Sequence, residues 1–116
     1  MTSAFDGLEP GTVTDAVALT LPLEPLPAEL VVAGAPAAGL VELTDTIGVW
    51  EHTPGTSTDV EVDEVFVVLS GSATVSFEEP ELPAIELRPG SIVQLTAGMR
   101  TVWTVRETLR KVYIAG

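Results

Sequence analysis

Short apolar runs alternate with turn residues along the chain from about residue 30 onward. Short runs rich in Val, Ile, Leu and Phe predict β-strands, and the Gly, Pro and Ser residues between them predict turns. The predicted strands cover residues 30–33, 40–43, 47–51, 65–69, 73–77, 85–87, 92–95, 101–105 and 111–114. No stretch shows a helical period, so the pattern predicts an all-β sandwich or closed barrel.

One of these runs differs from the others because it is apolar at every position. Residues 65–69 read VFVVL. A strand with one face in water alternates apolar and polar residues, so this run indicates a strand that is buried on both faces, for example against a second subunit. We therefore expect a homodimer.

The first 29 residues follow a different pattern, rich in Pro, Gly, Thr and Glu. Three prolines lie between Pro22 and Pro27. Proline removes a hydrogen-bond donor from a sheet and restricts the residue before it. The pattern predicts an extended N-terminal arm over residues 1–29 and one barrel domain over residues 30–116, which is an ordinary size for a single core.

The chain is strongly acidic, with 17 acidic residues against 5 basic ones and a net charge of −12. Such a surface repels phosphate backbones and anionic lipid headgroups, so neither nucleic acid nor membrane is an expected partner. The acidity is expected to serve solubility, and the alternative is that it attracts a cationic ligand or partner. The chain contains no cysteine, and its start, MTSAFDGLEP, lacks the basic and apolar regions of a signal peptide. The predicted location is therefore the cytoplasm.

Several segments carry a resemblance to a known family. They are AGAP (33–36), GVWEHTPG (48–55), DEVFVVLSG (63–71) and RPGSIVQLTAGMRTVWTVRETLRKVYI (88–114). On these segments the chain resembles the cupin superfamily, specifically its small single-domain branch related to the ethanolamine-utilisation cupins and the cupin domain of ureidoglycine aminohydrolase. The resemblance implies a cupin-type double-stranded β-helix, also called a jelly-roll barrel, and a dimer that pairs through sheet faces.

The metal-ligand positions of that family are not filled by metal ligands in this chain. Metal-binding cupins have two histidines just before the Glu that Glu64 matches and another three residues after a Gly, whereas this chain has residues 58–62 and Thr101 there. Transition metals need several nitrogen or sulfur donors in fixed geometry. With one histidine and no cysteine, neither a metal nor another cofactor is predicted, and a carboxylate-only Mg²⁺ or Ca²⁺ site is the remaining alternative.

Three residues are candidates for acid–base chemistry. The resemblance points Glu64 into the barrel, where a carboxylate suits a general acid or base. Lys111 and Tyr113 share one face of the last predicted strand. The alternative is an internal pair of Glu64 with Lys111 or an arginine, and an ordinary hydrogen-bonded role for Tyr113.

A second set of candidates would contact a ligand. Thr101 and Trp103 share one strand face, so both enter the lumen if Thr101 replaces a histidine ligand, and Trp103 then either stacks on a ligand or fills the barrel. Trp50 and Glu51 face opposite sides of a strand, so only one of them enters the lumen. His52, beside a Pro-Gly turn, is predicted to be an exposed loop residue. The candidate ligand-binding residues are Glu64, Thr101, Trp103, Trp50 and Glu51.

Two functions are compatible with these observations, and the sequence does not decide whether the chain is an enzyme. The first is a metal-free small-molecule-binding or non-catalytic dimeric module whose ligand contacts Trp103 and Glu64. The second is a metal-independent enzyme that uses Glu64 with Lys111 or Tyr113 on a small polar or carbohydrate-like substrate. An aminohydrolase is disfavoured because the enzymes that the chain resembles need the missing histidines.

Overall fold

The computed structural model describes residues 7–116, and most of them lie in β-strands. The strands are β1 (Glu24–Pro25), β2 (Val31–Ala33), β3 (Ala37–Glu42), β4 (Ile47–His52), β5 (Gly55–Val60), β6 (Glu64–Glu79), β7 (Leu82–Leu87), β8 (Ile92–Leu95) and β9 (Arg100–Ala115). One turn of 3-10 helix, Ala28–Leu30, precedes β2. The all-β class predicted from the sequence is confirmed. Within residues 7–116, no helix is long and apolar enough to cross a membrane.

Strand β9 organises the sheet because it pairs with three other strands. Its first part, from Arg100 to Val105, is antiparallel to β5, and its second part, from Leu109 to Ile114, is antiparallel to β4. Strand β6 follows β9 along almost its whole length. Strands β7 and β8 pair with β6, while β3 pairs with β4 and β2 with β5. The inward faces of β4, β5, β6 and β9 therefore surround a common interior.

The pairing of the two long strands shifts in register next to Gly71 of β6. Gly71 has a φ of 93°, and a Cβ added to it would overlap the backbone carbonyl oxygen of Thr108 in β9. Glycine alone combines a left-handed backbone with so close an approach. The sequence predicted separate strands at 65–69 and 73–77, with a turn at Gly71, but the structure joins them in β6. The runs at 101–105 and 111–114 are likewise joined in β9.

Apolar residues form one core inside the curled sheet and a smaller one outside it. The inner core consists of Phe66, Val68, Ala73, Val75, Leu87, Leu95, Trp103, Val105 and Leu109. On the other face of β4, Leu21 packs with Leu43 and Val49. Leu21 lies in the predicted N-terminal arm, so the described part of that arm packs against its own barrel. Residues 1–6 of the predicted arm lie outside the described residues.

Strand β5 was not predicted from the sequence. Its sequence, GTSTDV, has one apolar residue, and its first residue, Gly55, belongs to the predicted Pro-Gly turn beside His52. The structure begins β5 at Gly55 and pairs it with β9 on one side and β2 on the other. Because hydrogen bonds on both sides satisfy its backbone, a polar segment is stable here as a strand.

Candidate functional site

Lys111 of β9 places a positive charge inside the barrel. Its Nζ donates a hydrogen bond to Oε2 of Glu64 over 2.8 Å, and the two side chains are only 7% and 11% exposed. The same nitrogen lies 4.5 Å from the ring centroid of Trp50, 4.2 Å from that of Phe66 and 4.8 Å from that of Trp103. The negative faces of aromatic rings attract cations. One carboxylate and three rings therefore hold the buried ammonium.

A second carboxylate, Glu61, lies deeper beside β9. Its Oε2 accepts a hydrogen bond from the Thr101 hydroxyl over 2.6 Å and another from Trp103 Nε1 over 3.0 Å. Glu61 was not predicted as a site residue, although it lies in the segment where metal-binding cupins have their histidines. The two-residue period that places Ser57 and Asp59 on one face of β5 continues to Glu61, the residue that follows the strand.

A cavity of about 350 Å³ lies beside these two carboxylates. Its aromatic and charged lining consists of Trp50, Trp103, Tyr113, Asp59, Glu61, Glu64 and Lys111. Residues such as Leu30, Leu40 and Val62 add an apolar part to the wall. Pockets for small molecules combine an apolar wall with a few polar groups in this way.

The structure brings most of the predicted site residues together. Trp50, Glu64, Trp103, Lys111 and Tyr113 all line the cavity. Thr101 is fully buried, and its hydroxyl is used in the hydrogen bond to Glu61. Glu51 does not line the cavity, so of the neighbours Trp50 and Glu51, Trp50 is the one that enters the lumen.

Glu51 instead pairs with Arg110 on the opposite face of the sheet. Its Oε1 accepts hydrogen bonds from Arg110 Nε over 2.7 Å and from the guanidinium Nη2 over 2.6 Å. The same guanidinium also donates to three backbone carbonyl oxygens of the arm, those of Ala16, Val17 and Leu19. This ion pair therefore anchors the arm to the barrel.

His52 is not the exposed loop residue that the sequence predicted. It is the last residue of β4, is 2% exposed, and its ring lies 5.5 Å from that of Trp50. The prediction was wrong because the Pro-Gly turn begins after the strand has directed this side chain inward. Burial lowers the pKa of His52, and the nearby charge of Lys111 lowers it further. The imidazole is therefore neutral at neutral pH.

Two further groups of the cavity wall have shifted pKa values. Asp59 lies at the exposed edge of the cavity, yet the surrounding protein and then the charge of Glu61 raise its pKa from 3.8 to about 6. Burial raises the pKa of Tyr113, and the charges of Glu42 and Glu64 add to this effect. The wall thus contains three acidic side chains, Asp59, Glu61 and Glu64, and one basic side chain, Lys111.

The residues of this interior do not fit a transition metal. Within residues 7–116, no group of three or more His, Cys, Asp or Glu side chains is arranged to hold an ion. Both ring nitrogens of His52 already contact protein oxygen atoms, and Glu64 pairs with Lys111. The positive charge in the lumen is instead that of the Lys111 ammonium.

Comparison with protein families finds one that matches most of the barrel. A family model described as the EutQ-like cupin domain matches residues 42–113. A search of the curated proteins finds no match.

Solved structures with a similar fold come from several bacteria. EutQ of Clostridium difficile matches at 15% identity with a TM-score of 0.59, over 69% of this chain and 68% of that chain. A DUF861-family protein of unknown function from Pseudomonas syringae matches at 22% identity with a TM-score of 0.71, over 88% of this chain and 46% of that chain, so this chain spans about half its length. A DUF1255 protein of unknown function from Acidithiobacillus ferrooxidans matches at 24% identity with a TM-score of 0.62, over 94% of this chain and 100% of that chain. Such identities show the fold alone, and the predicted cupin jelly roll is confirmed.

Proposed function

Because the chain belongs to the EutQ-like cupin domain family, we propose that it binds a small organic molecule in its barrel and needs no metal ion to do so. The observation that carries this proposal is the cavity of about 350 Å³ with its aromatic and charged wall. A barrel interior that only filled space would be packed with side chains. This one leaves room for a ligand beside Trp50, Trp103 and the Lys111 ammonium.

The charges of the wall favour neutral or cationic ligands. Asp59, Glu61 and Glu64 repel an anion, and Lys111 is already paired with Glu64 over 2.8 Å. The chain as a whole has a net charge of −12, which also disfavours the approach of anions. The aromatic rings offer stacking surfaces to a ring or an alkyl chain.

The binding proposal is tested with three probes of equal shape: benzylammonium, benzyl alcohol and benzoate. Both tryptophans of the chain line the cavity, so intrinsic fluorescence reports directly on its occupation. We expect saturable quenching by benzylammonium and benzyl alcohol but not by benzoate, and no effect of a chelator. Saturable binding of none of the three, or binding that requires an added metal ion, would contradict the proposal.

A matched pair of variants locates the binding site. Val62 lines the cavity at its exposed edge, whereas Val32 of β2 is equally exposed but does not line it. Calorimetric titration should show that Val62→Trp weakens binding of benzyl alcohol and that Val32→Trp leaves it unchanged. Equal effects of the two substitutions would place the probe elsewhere.

Metal-independent acid–base catalysis is the second candidate function. Glu64 Oε2 and Lys111 Nζ lie 2.8 Å apart in the cavity wall, and Tyr113 lines the same cavity. A proton could pass between these groups and a bound substrate. The ion pair occupies the Glu64 oxygen that would accept the proton, so the geometry favours binding. Full turnover of a substrate by Glu64→Gln would exclude this role for Glu64.

Homodimerisation is a further proposal, supported by the outer face of β6. Val65 pairs with Ile114 of β9, and Val67 pairs with Ile92 of β8, so the four side chains share the face opposite Phe66. Ile92 is 71% exposed. Light scattering should give twice the chain mass of 12.1 kDa, and a mass of one chain would contradict the dimer. The cytoplasmic location stays a prediction.

A further inference from the structure

Ser57 and His52 face each other across the reversal between β4 and β5. His52 ends β4, Gly55 begins β5 with a φ of 146°, and the two side chains point to the same inner face. The Ser57 Oγ lies 2.9 Å from His52 Nε2. Ser57 is 5% and His52 2% exposed, and both line the cavity. A hydroxyl and an imidazole in this arrangement are the components of a nucleophile and its base.

The other ring nitrogen determines which atom carries the proton. His52 Nδ1 lies 2.6 Å from the backbone carbonyl oxygen of Thr53, which can only accept a hydrogen bond. The proton of the neutral ring is therefore on Nδ1, and Nε2 presents a lone pair. It follows that the Ser57 hydroxyl donates to Nε2, which is the direction that general-base activation requires.

The surroundings keep the imidazole neutral, so that Nε2 has a lone pair for the hydroxyl proton. Burial lowers the pKa of His52, the hydrogen bond to the Thr53 carbonyl opposes this shift, and the charge of Lys111 lowers the pKa further. The Trp50 ring, 5.5 Å away, restricts the orientation of the imidazole. Lys111 is the one lysine or arginine among the described residues that line the cavity. Its ammonium can stabilise negative charge that develops on a reacting carbonyl oxygen.

We propose that Ser57 is a nucleophile and His52 its general base, and that together they hydrolyse small esters in the cavity. Ser57 Oγ forms a bond to the acyl carbon while its proton passes to His52 Nε2. The bond from that carbon to the alcohol oxygen breaks, and the alcohol leaves with the proton from Nε2. Water, deprotonated by Nε2, then forms a bond to the acyl carbon, the bond from that carbon to Ser57 Oγ breaks, and the proton passes from Nε2 back to Ser57 Oγ. The sum is an ester and water giving an acid and an alcohol.

The cavity restricts the class of ester. The proposal uses the same cavity as the ligand-binding function, so it rests on that cavity admitting a small molecule. A volume of about 350 Å³ suits a compact ester, and the carboxylates Asp59, Glu61 and Glu64 favour one that is neutral or cationic. The acid produced is an anion, so the same carboxylates promote its release.

The test uses p-nitrophenyl acetate, a small neutral ester. We expect an acetyl group on Ser57, located by mass spectrometry of the digested protein, and release of p-nitrophenolate. Ser57→Ala should abolish this acetylation, and His52→Gln should slow it at least about 100-fold, the usual contribution of a general base. Ser72→Ala, a substitution of another serine in β6, is the matched control and should leave the rate at Ser57 unchanged.

The pH dependence of Ser57 acetylation distinguishes a general base from a purely structural hydrogen bond, because only a general base would make the rate follow the titration of His52. Acetylation of Ser57 in the unmodified protein should increase with pH as His52 loses its proton, with a midpoint below the ordinary 6.5. This measurement stays decisive even when His52→Gln does not fold. A rate that is flat through the histidine range, or that is the same in folded His52→Gln, would overturn the proposal.

The two proposals can fail separately. If benzyl alcohol binds in the cavity but Ser57 takes no acetyl group, the nucleophile is disproved and the ligand-binding function remains. If Ser57 is acetylated in a His52-dependent manner but none of the benzyl probes binds, the nucleophile remains and the ligand class is wrong.

Discussion

Arg110 and Lys111 are neighbours in β9, yet their side chains leave opposite faces of the sheet and end in two different ion pairs. Arg110 pairs with Glu51 under the N-terminal arm, and Lys111 pairs with Glu64 in the barrel interior. The exposed fractions of the four side chains are similarly low, between 7% and 16%. Burial alone therefore does not distinguish the two pairs.

The number of partners that each cation has does distinguish them. The Arg110 guanidinium donates to Glu51 and to three backbone carbonyl oxygens, so its planar fork is nearly saturated. The Lys111 ammonium has a hydrogen bond to one carboxylate and otherwise faces aromatic rings and the cavity. The buried charge of Arg110 therefore stabilises the fold, whereas the buried charge of Lys111, beside the cavity, also affects which ligands can bind there.

The largest expected loss of stability comes from breaking the ion pair between Arg110 and Glu51. Arg110→Met leaves the Glu51 carboxylate and the arm carbonyls without donors, so we expect the free energy of unfolding to fall by about 3–5 kcal/mol. Urea denaturation at neutral pH measures this loss. Arg106→Met, which breaks an exposed pair with Glu86, is the matched control and should cost far less. Equal losses would contradict the structural role of Arg110.

Breaking the ion pair between Lys111 and Glu64 should reduce stability less and should change ligand binding in the cavity. Lys111→Met leaves Glu64 unpaired, but that carboxylate borders the cavity and can meet water, so we expect a loss of about 2–3 kcal/mol. Because the cation is gone from the rings, benzylammonium should bind about tenfold more tightly. The double variant Lys111→Met, Glu64→Gln should recover most of the stability. If Lys111→Met bound benzylammonium more weakly, the Lys111 ammonium would not be competing with the ligand for the position beside the aromatic rings.

The smallest expected change in stability comes from substituting Asp59, which forms no ion pair with any of the described residues. Its pKa is raised from 3.8 to about 6, so the folded state binds this proton more tightly than the unfolded state. Stability contributed by that proton is present below pH 3.8 and is lost as the pH rises to about 6. Asp59→Asn should therefore be more stable than the unmodified chain at neutral pH, by less than about 1 kcal/mol because the side chain is exposed and screened.

Thermal unfolding at several pH values tests the Asp59 prediction. The difference between Asp59→Asn and the unmodified chain should vanish in acid, where both side chains are neutral. Glu29→Gln, on the surface turn before β2, is a control that should show no such pH-dependent gain. A variant that is less stable at neutral pH would mean that the Asp59 carboxylate makes a favourable contact.

The sequence predicted the fold well where hydrophobic pattern decides it. The runs around Phe66, Val93 and Val105 became strands of the inner core because apolar side chains decide which face is buried. Strand β5, residues 55–60, was not predicted, because it is a strand through its pairing with β9 and β2 and not through apolar residues. Such pairing joins residues that are distant in sequence, so the local hydrophobic pattern does not predict it.

The candidate site was predictable only in part, for the same reason. The resemblance directed attention to Glu64 and Trp103, which both line the cavity. Glu61 was missed because it directly follows β5, a strand that the hydrophobic pattern does not reveal. His52 was wrongly placed in an exposed loop because strand β4 includes it before the Pro-Gly turn begins. Glu51 was included because alternation shows that neighbours face opposite sides without showing which side is the interior.

The pairing of β9 has a consequence for the order of events during synthesis. Leu109 of β9 lies opposite His52, and Lys111 lies opposite Trp50, across a long stretch of intervening chain. Strands β6, β7 and β8 pair locally and can associate as soon as they leave the ribosome. Strands β4 and β5 must wait with unpaired edges until β9 has been translated, and a nascent chain with such edges is prone to aggregate and to need a chaperone.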